Sequence, residues 1–305
     1  DTLLLSLVRH AARPALRANG QTLRYADIAA AIAERIALLD SLGAQRVALA
    51  LDNGIDWVLW DLALLCSDRV CVPLPGFFAP GQQRHAVDSA GVDTVIAAPG
   101  WDALFAGFGF SAVQHGILQR VGFAAPALPA GTCKITYTSG TTGQPKGVCL
   151  DAEALFAVAR SLTDASAECA IARHLCVLPL ATLLENIAGV YAPLLAGACV
   201  DVPPLEAVGL KGASGFDVAR FIACLHDCRP NSLILLPQLL LGLVMAAERG
   251  AALPDSLRFI AVGGGRVAPQ LLERADALGL PVFEGYGLSE CASVVCLNTP
   301  QARRI

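Results

Sequence analysis

The chain has 305 residues, enough for one large domain or two interlocked lobes with a substantial core. Hydrophobic residues make up 55% and charged residues 16%, which argues against intrinsic disorder. A net charge of −4, with no Lys/Arg cluster beyond Arg303 and Arg304, argues against a nucleic-acid surface.

The first sixteen residues lack the order of charge, apolar stretch and small-residue cleavage site of a secretory signal. Residues 21–25 read as a short strand. Ile28, Ile32, Ile36 and Leu39 then recur at helical spacing until Gly43 stops the helix. Residues 46–52 follow as a buried strand, 57–65 as a helix, and VCVPL as another strand. A helix near 82–89 leads to a strand at 94–98. This alternation argues for parallel sheets covered by helices. Residues 100–130 are Gly/Ala/Pro-rich and read as a connection. Strand, glycine loop and helix are expected over 133–162, then strand CVLPL and a helix over 183–195. SLILLP, LRFIAVGGG and PVFEGYG each read as a strand ending at a turn, separated by helices at 238–248 and 269–278. No repeat of 20–50 residues is present.

The eleven cysteines show no paired zinc spacing, and Cys176, Cys199 and Cys296 sit in apolar segments. They read as buried free thiols in a reducing compartment. Cys224 and Cys228 fall on one face of a helix. The longest apolar run, SLILLPQLLLGLVMAA, is interrupted by Pro237, Gln238 and Gly242 and falls short of a membrane span. A soluble cytoplasmic protein without a transmembrane segment is the expectation.

The strongest local signal is residues 137–147, YTSGTTGQPKG. Glycines let backbone N–H groups approach an anion, hydroxyls add donors, and lysine adds a mobile charge. Together they suit a polyphosphate. A Walker A loop is excluded, because Pro145 precedes Lys146 and Gly147 follows it. The loop resembles the phosphate-binding signature of the adenylate-forming (AMP-binding) superfamily, which includes acyl-CoA synthetases, firefly luciferase and peptide-synthetase adenylation domains.

Two further segments match that resemblance in the same order. Gly285-Tyr286-Gly287-Leu288-Ser289-Glu290 is similar to the family's Tyr-Gly-x-Ser/Thr-Glu motif. Val262-Gly263-Gly264-Gly265 is similar to its glycine turn beside the adenine and acyl pockets. Gly264 and Tyr286 are 22 residues apart, room for a helix and a strand, so both loops can share one end of a parallel sheet. The segment from Pro179 to Glu185, PLATLLE, resembles a fourth family segment, with Thr182 where an aromatic residue or His usually stands. Its alternative reading is a strand end with Thr182 as a helix cap. The five histidines match no motif and read as surface or core residues.

The resemblance implies an α/β fold: the large N-terminal domain of an adenylate-forming enzyme, with two helix-flanked, mostly parallel sheets in interlocked lobes. The expected lobes are 1–99 with 225–305, and 130–224, linked by 100–129. It implies that Thr138, Ser139, Gly140, Thr141, Thr142, Gly143 and Lys146 hold the ATP phosphates. Gly263, Gly264, Gly265, Gly285, Tyr286 and Gly287 take adenine or AMP, Ser289 the α-phosphate, and Glu290 Mg²⁺. Lys146, Ser289 and Glu290 are the implied catalytic residues, and Leu180, Thr182, Gly263 and Gly287 line the acid pocket. ATP, Mg²⁺ and coenzyme A are the implied cofactors and cosubstrate. Only fifteen residues follow Glu290, so the family's ribose-binding Asp, hinge and mobile C-terminal domain are read as missing. Expected is an acyl-CoA synthetase acting on a medium- or long-chain fatty acid. A carrier-protein-loading module and a nucleotide-binding pseudoenzyme stay open.

Overall fold

The computed structural model describes residues 2–138, 144–212 and 215–304. Two large sheets organise them. The first runs Ser293–Leu297, Val282–Leu288, Phe259–Val262, Ser232–Leu235, Arg173–Leu175, Cys199–Asp201, Pro14–Ala18 and Gln21–Arg24. Its interior pairings are parallel, and both outermost pairings are antiparallel. The second runs Ser111–Gln114, Ile117–Gln119, Thr94–Ala97, Arg46–Ala50, Val70–Pro73, Thr132–Thr138 and Lys146–Asp151, parallel in its centre. Central strands such as Arg46–Ala50, Thr94–Ala97 and Ser232–Leu235 are buried on both faces, as sheets with helices on each side require, and the edge strands are more exposed.

Helices fill the space between the sheets and cover both outer faces. The shared core joins Leu16 and Val200 of the first sheet to Val47, Leu49 and Leu150 of the second. Helix Tyr25–Leu42 contributes Ile28, Ile32 and Leu39 to that core, and ends where Gly43 takes the left-handed conformation at φ 63°. The wholly buried Trp57, Val58 and Leu62 place helix Ile55–Leu65 in the middle layer. Helices Val218–Cys228, Pro237–Glu248 and Pro269–Ala277 pack on the first sheet's other face. Helix Pro80–Ala90 packs on the second sheet's other face.

Several expectations change. The sheets group residues 46–97 with 132–151, not with 225–305, so the expected lobe boundaries do not hold. The supposed linker carries helix Asp102–Ala106 and two strands that extend the second sheet. The glycine loop joins two antiparallel strands, with Thr138 opposite Lys146, and helix Ala152–Ala165 starts only after the second strand. Asp151 caps that helix by accepting from the Ala154 N–H at 2.7 Å. The strand placed at CVLPL is Arg173–Leu175, and Glu185–Tyr191 winds as a π-helix. All eleven cysteines are free, but Cys296 is exposed, because it lies on the outermost strand. No described helix is long and apolar enough to cross a membrane.

A buried polar group ties the layers together. Lys134 Nζ lies 2.7 Å from Asp61 Oδ1 and 2.9 Å from the Tyr191 hydroxyl, and also donates to Asn186 Oδ1. Asp61 Oδ2 accepts from Asn186 Nδ2 at 2.9 Å and from the Tyr191 hydroxyl at 2.7 Å. Cys71 donates to Asp61 Oδ1. All three ammonium protons and both carboxylate oxygens thus have partners, which makes a wholly buried charge pair tolerable.

Buried thiols give the fold a pH dependence. Burial pushes Cys133 and Cys199 up to about 11, and raises Cys71 and Cys176 well above the ordinary thiol range. In the unfolded chain these thiols ionise near about pH 8.5. Above that pH the unfolded state loses protons that the native state keeps, so stability falls as pH rises. Thermal melts in reductant should hold level to about pH 8 and then drop steadily toward about pH 10.5. A level melting temperature across that window would contradict the assignment.

Candidate active site

A cavity of about 1260 Å³ lies between the two sheets. Its mouth is at the C-terminal ends of the first sheet's parallel strands, where open α/β sheets bind ligands. Thr138 from the second sheet meets Gly263, Gly264, Gly285, Tyr286, Gly287 and Ser289 from the first around that mouth. The glycine turn and the GYGLSE segment, well separated in sequence, are therefore brought together.

The glycines have structural reasons to be there. A Cβ on Gly263 would lie 3.0 Å from the Gly285 carbonyl, so these neighbouring strands approach closely. Gly264 has φ +72°, and a Cβ there would come 2.8 Å from Leu236 Cδ2. A Cβ on Gly287 would fall 1.8 Å from the Ser293 carbonyl oxygen, a contact no side chain can make. GYGL belongs to strand Val282–Leu288 itself, and Ser289–Cys291 forms a short 3₁₀ turn after it. Tyr286 is 59% exposed, leaving a ring face open for stacking.

The other expected residues are placed as follows. Ser139, Gly140, Thr141, Thr142 and Gly143 lie outside the described residues. Lys146 is exposed at the start of its strand, directly opposite cavity-lining Thr138. Gly265 and Glu290 are exposed beside residues that line the cavity, Gly264 and Ser289. Leu180 is a correction: it packs into the inter-sheet core, 1% exposed, and does not line the cavity. Its amide is held by Asn53 Oδ1 at 2.8 Å, which turns the side chain's segment inward. Thr182 does line the cavity, but its hydroxyl donates back to the Pro179 carbonyl at 2.7 Å and does not cap the following helix.

Sequence reasoning misses three polar contributors. Asn53 clamps the Pro179 segment from both sides, donating from Nδ2 to the Leu178 carbonyl at 2.9 Å and accepting from Leu180 N–H. It reaches across from the second sheet, and nothing in LDNG signals that. His174 and Ser232 lie deep in the cavity wall, with His174 Nδ1 and Ser232 Oγ 2.8 Å apart. His174 Nε2 is 3.3 Å from Glu185 Oε1, and Glu185 Oε2 accepts from the Leu178 N–H at 2.9 Å. Cys176 Sγ lies within 4.8 Å of the His174 and Glu185 ligand atoms. Burial and the Glu185 charge raise its thiol, which keeps its proton and points to the Gly189 carbonyl. The cluster is a hydrogen-bonded chain, with each group already partnered.

Comparisons with known proteins identify the family and the fold. The family described as AMP-binding enzyme matches residues 6–305. A 2-succinylbenzoate–CoA ligase of Enterococcus faecalis is 28% identical over 264 residues, covering 85% of this chain and 52% of that protein. A feruloyl-CoA synthase of Amycolatopsis sp. is 27% identical over 292 residues, 91% of this chain and 56% of that protein. The chain thus spans about half the length of the curated relatives it matches. The fold matches Bacillus subtilis o-succinylbenzoate coenzyme A synthetase in complex with AMP at TM-score 0.77 and 21% identity, covering 99% of this chain and 77% of that one. It also matches an anthranilate CoA ligase in complex with anthranoyl-AMP at TM-score 0.80 and 15% identity, covering 99% and 62%. The chain belongs to the AMP-binding enzyme family.

Proposed function

We propose that this protein activates a carboxylic acid with ATP and passes the acyl group to the thiol of coenzyme A. The observation that carries this reading is the convergence of Thr138, Gly263, Gly264, Tyr286 and Ser289 on one cavity mouth. Tyr286 offers its ring to adenine, with the backbone of Gly263, Gly264 and Gly265 beside it. Ser289 donates to the α-phosphate. Residues 138–143 and Lys146 take the β- and γ-phosphates. Glu290 fits Mg²⁺: it is an exposed hard carboxylate one residue from Ser289. The ion would supply charge neutralisation on the phosphates.

The chemistry needs little proton transfer. A carboxylate oxygen attacks the α-phosphorus, the bond to the bridging oxygen breaks, and pyrophosphate leaves. The thiolate sulfur then attacks the acyl carbon, and AMP leaves with the electrons of the broken acyl–oxygen bond. The acid is already ionised near neutral pH, so the chain's residues mainly position reactants and offset charge.

The acid we propose is apolar and aromatic. Leu162, Ile171, Leu183, Leu184, Leu236 and Phe259 wall the cavity, which suits a ring as well as a fatty chain. The acids for which the relatives are named favour the ring: succinylbenzoate, ferulate and anthranilate. A fatty acid is the second reading, because the same apolar walls accommodate an aliphatic chain. Acid-dependent ATP–pyrophosphate exchange tests the ligase reading, with benzoate, cinnamate, octanoate, palmitate and acetate as the panel. Exchange with an aromatic acid is expected. Its absence with every acid would overturn the activity, and exchange confined to octanoate and palmitate would move the assignment to fatty acids. Replacing coenzyme A with a carrier protein then identifies the thiol.

A further inference from the structure

The cavity does not end at the glycine turn. It continues down one face of the first sheet, along residues that pair across its strands. Gly263 and Gly285 stand at the mouth, and Ile234 pairs with Ala261 one layer deeper. His174, Ser232 and Phe259 form the next rung, by direct pairing across three parallel strands. From Gly263 to Phe259 is four residues of strand, about 13 Å. Allowing one contact distance of about 3.5–4 Å, this rung stands roughly 9 Å along the cavity from a group held at the glycine turn.

Two of the three residues on that rung are polar, although Ile234 and Ala261 between it and the mouth are apolar. Ser232 and His174 are each 3% exposed, and Glu185 is fully buried behind them. The arrangement is built: a Cβ on Gly189 would lie 2.3 Å from Glu185 Oε1 and 3.0 Å from His174 Nε2, so glycine makes room for the contact. Glu185, an acceptor when ionised, fixes the His174 proton on Nε2. Nδ1 is then an acceptor, and the Ser232 hydroxyl donates its one proton to it. Among the described residues, His174 is the hydrogen-bond partner of Ser232 Oγ. A hydroxyl has two acceptor lone pairs, and these remain for a ligand.

We propose that Ser232, oriented by His174 and Glu185, is a specificity residue that selects acids carrying a hydroxyl roughly 9 Å from the activated carboxyl. The substrate class is a hydroxy acid, aromatic or aliphatic, whose distal O–H donates to Ser232 Oγ. A methyl ether of the same acid lacks the proton, and the unsubstituted acid lacks the oxygen as well. A buried acceptor left unpaired by such analogues discriminates against them. This inference rests on the ligase reading above.

The test uses two matched series with the full-length protein: 4-hydroxycinnamate, 4-methoxycinnamate and cinnamate, and 8-hydroxyoctanoate, 8-methoxyoctanoate and octanoate. The hydroxy acid of at least one series should exceed both analogues in kcat/KM by about tenfold, mostly through KM. In Ser232→Ala that ratio should collapse to about one. The responding series tells ring from chain. Equal or reversed preference in both series overturns the inference, as does a preference that survives in Ser232→Ala. If no acid releases pyrophosphate, the ligase reading fails separately. Calorimetric binding of the same six acids to wild type and Ser232→Ala then decides the inference alone: a hydroxyl preference lost in the variant upholds it, and equal Kd values refute it.

Discussion

Lys134→Ala is expected to lower the unfolding free energy by about 3–5 kcal/mol, well beyond what the loss of an exposed ion pair costs. The substitution leaves the Asp61 carboxylate buried without its counter-charge and removes a donor from Asn186 and Tyr191. It strikes the place where the two sheets are joined: Lys134 belongs to strand Thr132–Thr138, Asp61 to helix Ile55–Leu65, and Asn186 and Tyr191 to the π-helix Glu185–Tyr191. Asp61→Asn should be costly for the converse reason, stranding the ammonium. Arg229→Ala breaks an ion pair between exposed partners and should cost less than about 1 kcal/mol. Urea unfolding of the three variants provides the comparison. A loss under about 1 kcal/mol for Lys134→Ala would mean that water reaches the pair, or that the layers relax around the gap.

The same network shows where sequence reading stops. The glycine motifs are legible because their requirement is local: a close strand approach at Gly263, a positive φ at Gly264 and no space for a Cβ at Gly287 are conditions on single positions. The helix over Tyr25–Leu42 is legible from its apolar spacing and its terminal glycine. Lys134, Asp61, Asn186 and Tyr191 carry no such mark. Their contacts span 52 to 130 positions and exist only once two sheets stack on shared helices. The pairing of His174 with Ser232 depends on strand register across 58 positions, so along the chain the histidine reads as an ordinary one. The lobe boundaries fail for a related reason. The chain leaves the first sheet after Arg24, builds the whole second sheet, and returns at Arg173, a path that composition along the chain does not encode. The hairpin after the glycine loop escapes notice because KGVCLD is only six residues, and Asp151 is both its last residue and the cap of the next helix.

Lys146→Ala should reduce acid-dependent ATP–pyrophosphate exchange by about 10²-fold or more, because it removes a charge that offsets the departing pyrophosphate. Lys146 stands directly opposite Thr138, so the cavity's rim and this cation are tied by strand pairing. The nucleotide dependence is the sharper part of the expectation. Lys146 is assigned beyond the α-phosphate, where a charge-assisted bond contributes about 1.5–3 kcal/mol, or roughly 10- to 100-fold in affinity. ATP binding should weaken by that factor while AMP binding changes by less than about twofold, since AMP has nothing there for the ammonium to meet. Lys146→Arg keeps the charge and should recover part of the ATP affinity, though a planar guanidinium does not reproduce a compact ammonium. Equal weakening of ATP and AMP would show that Lys146 acts on the shared nucleotide or on the fold. Because its side chain is exposed, a fold effect is separable: the melting temperature of Lys146→Ala without nucleotide should match wild type.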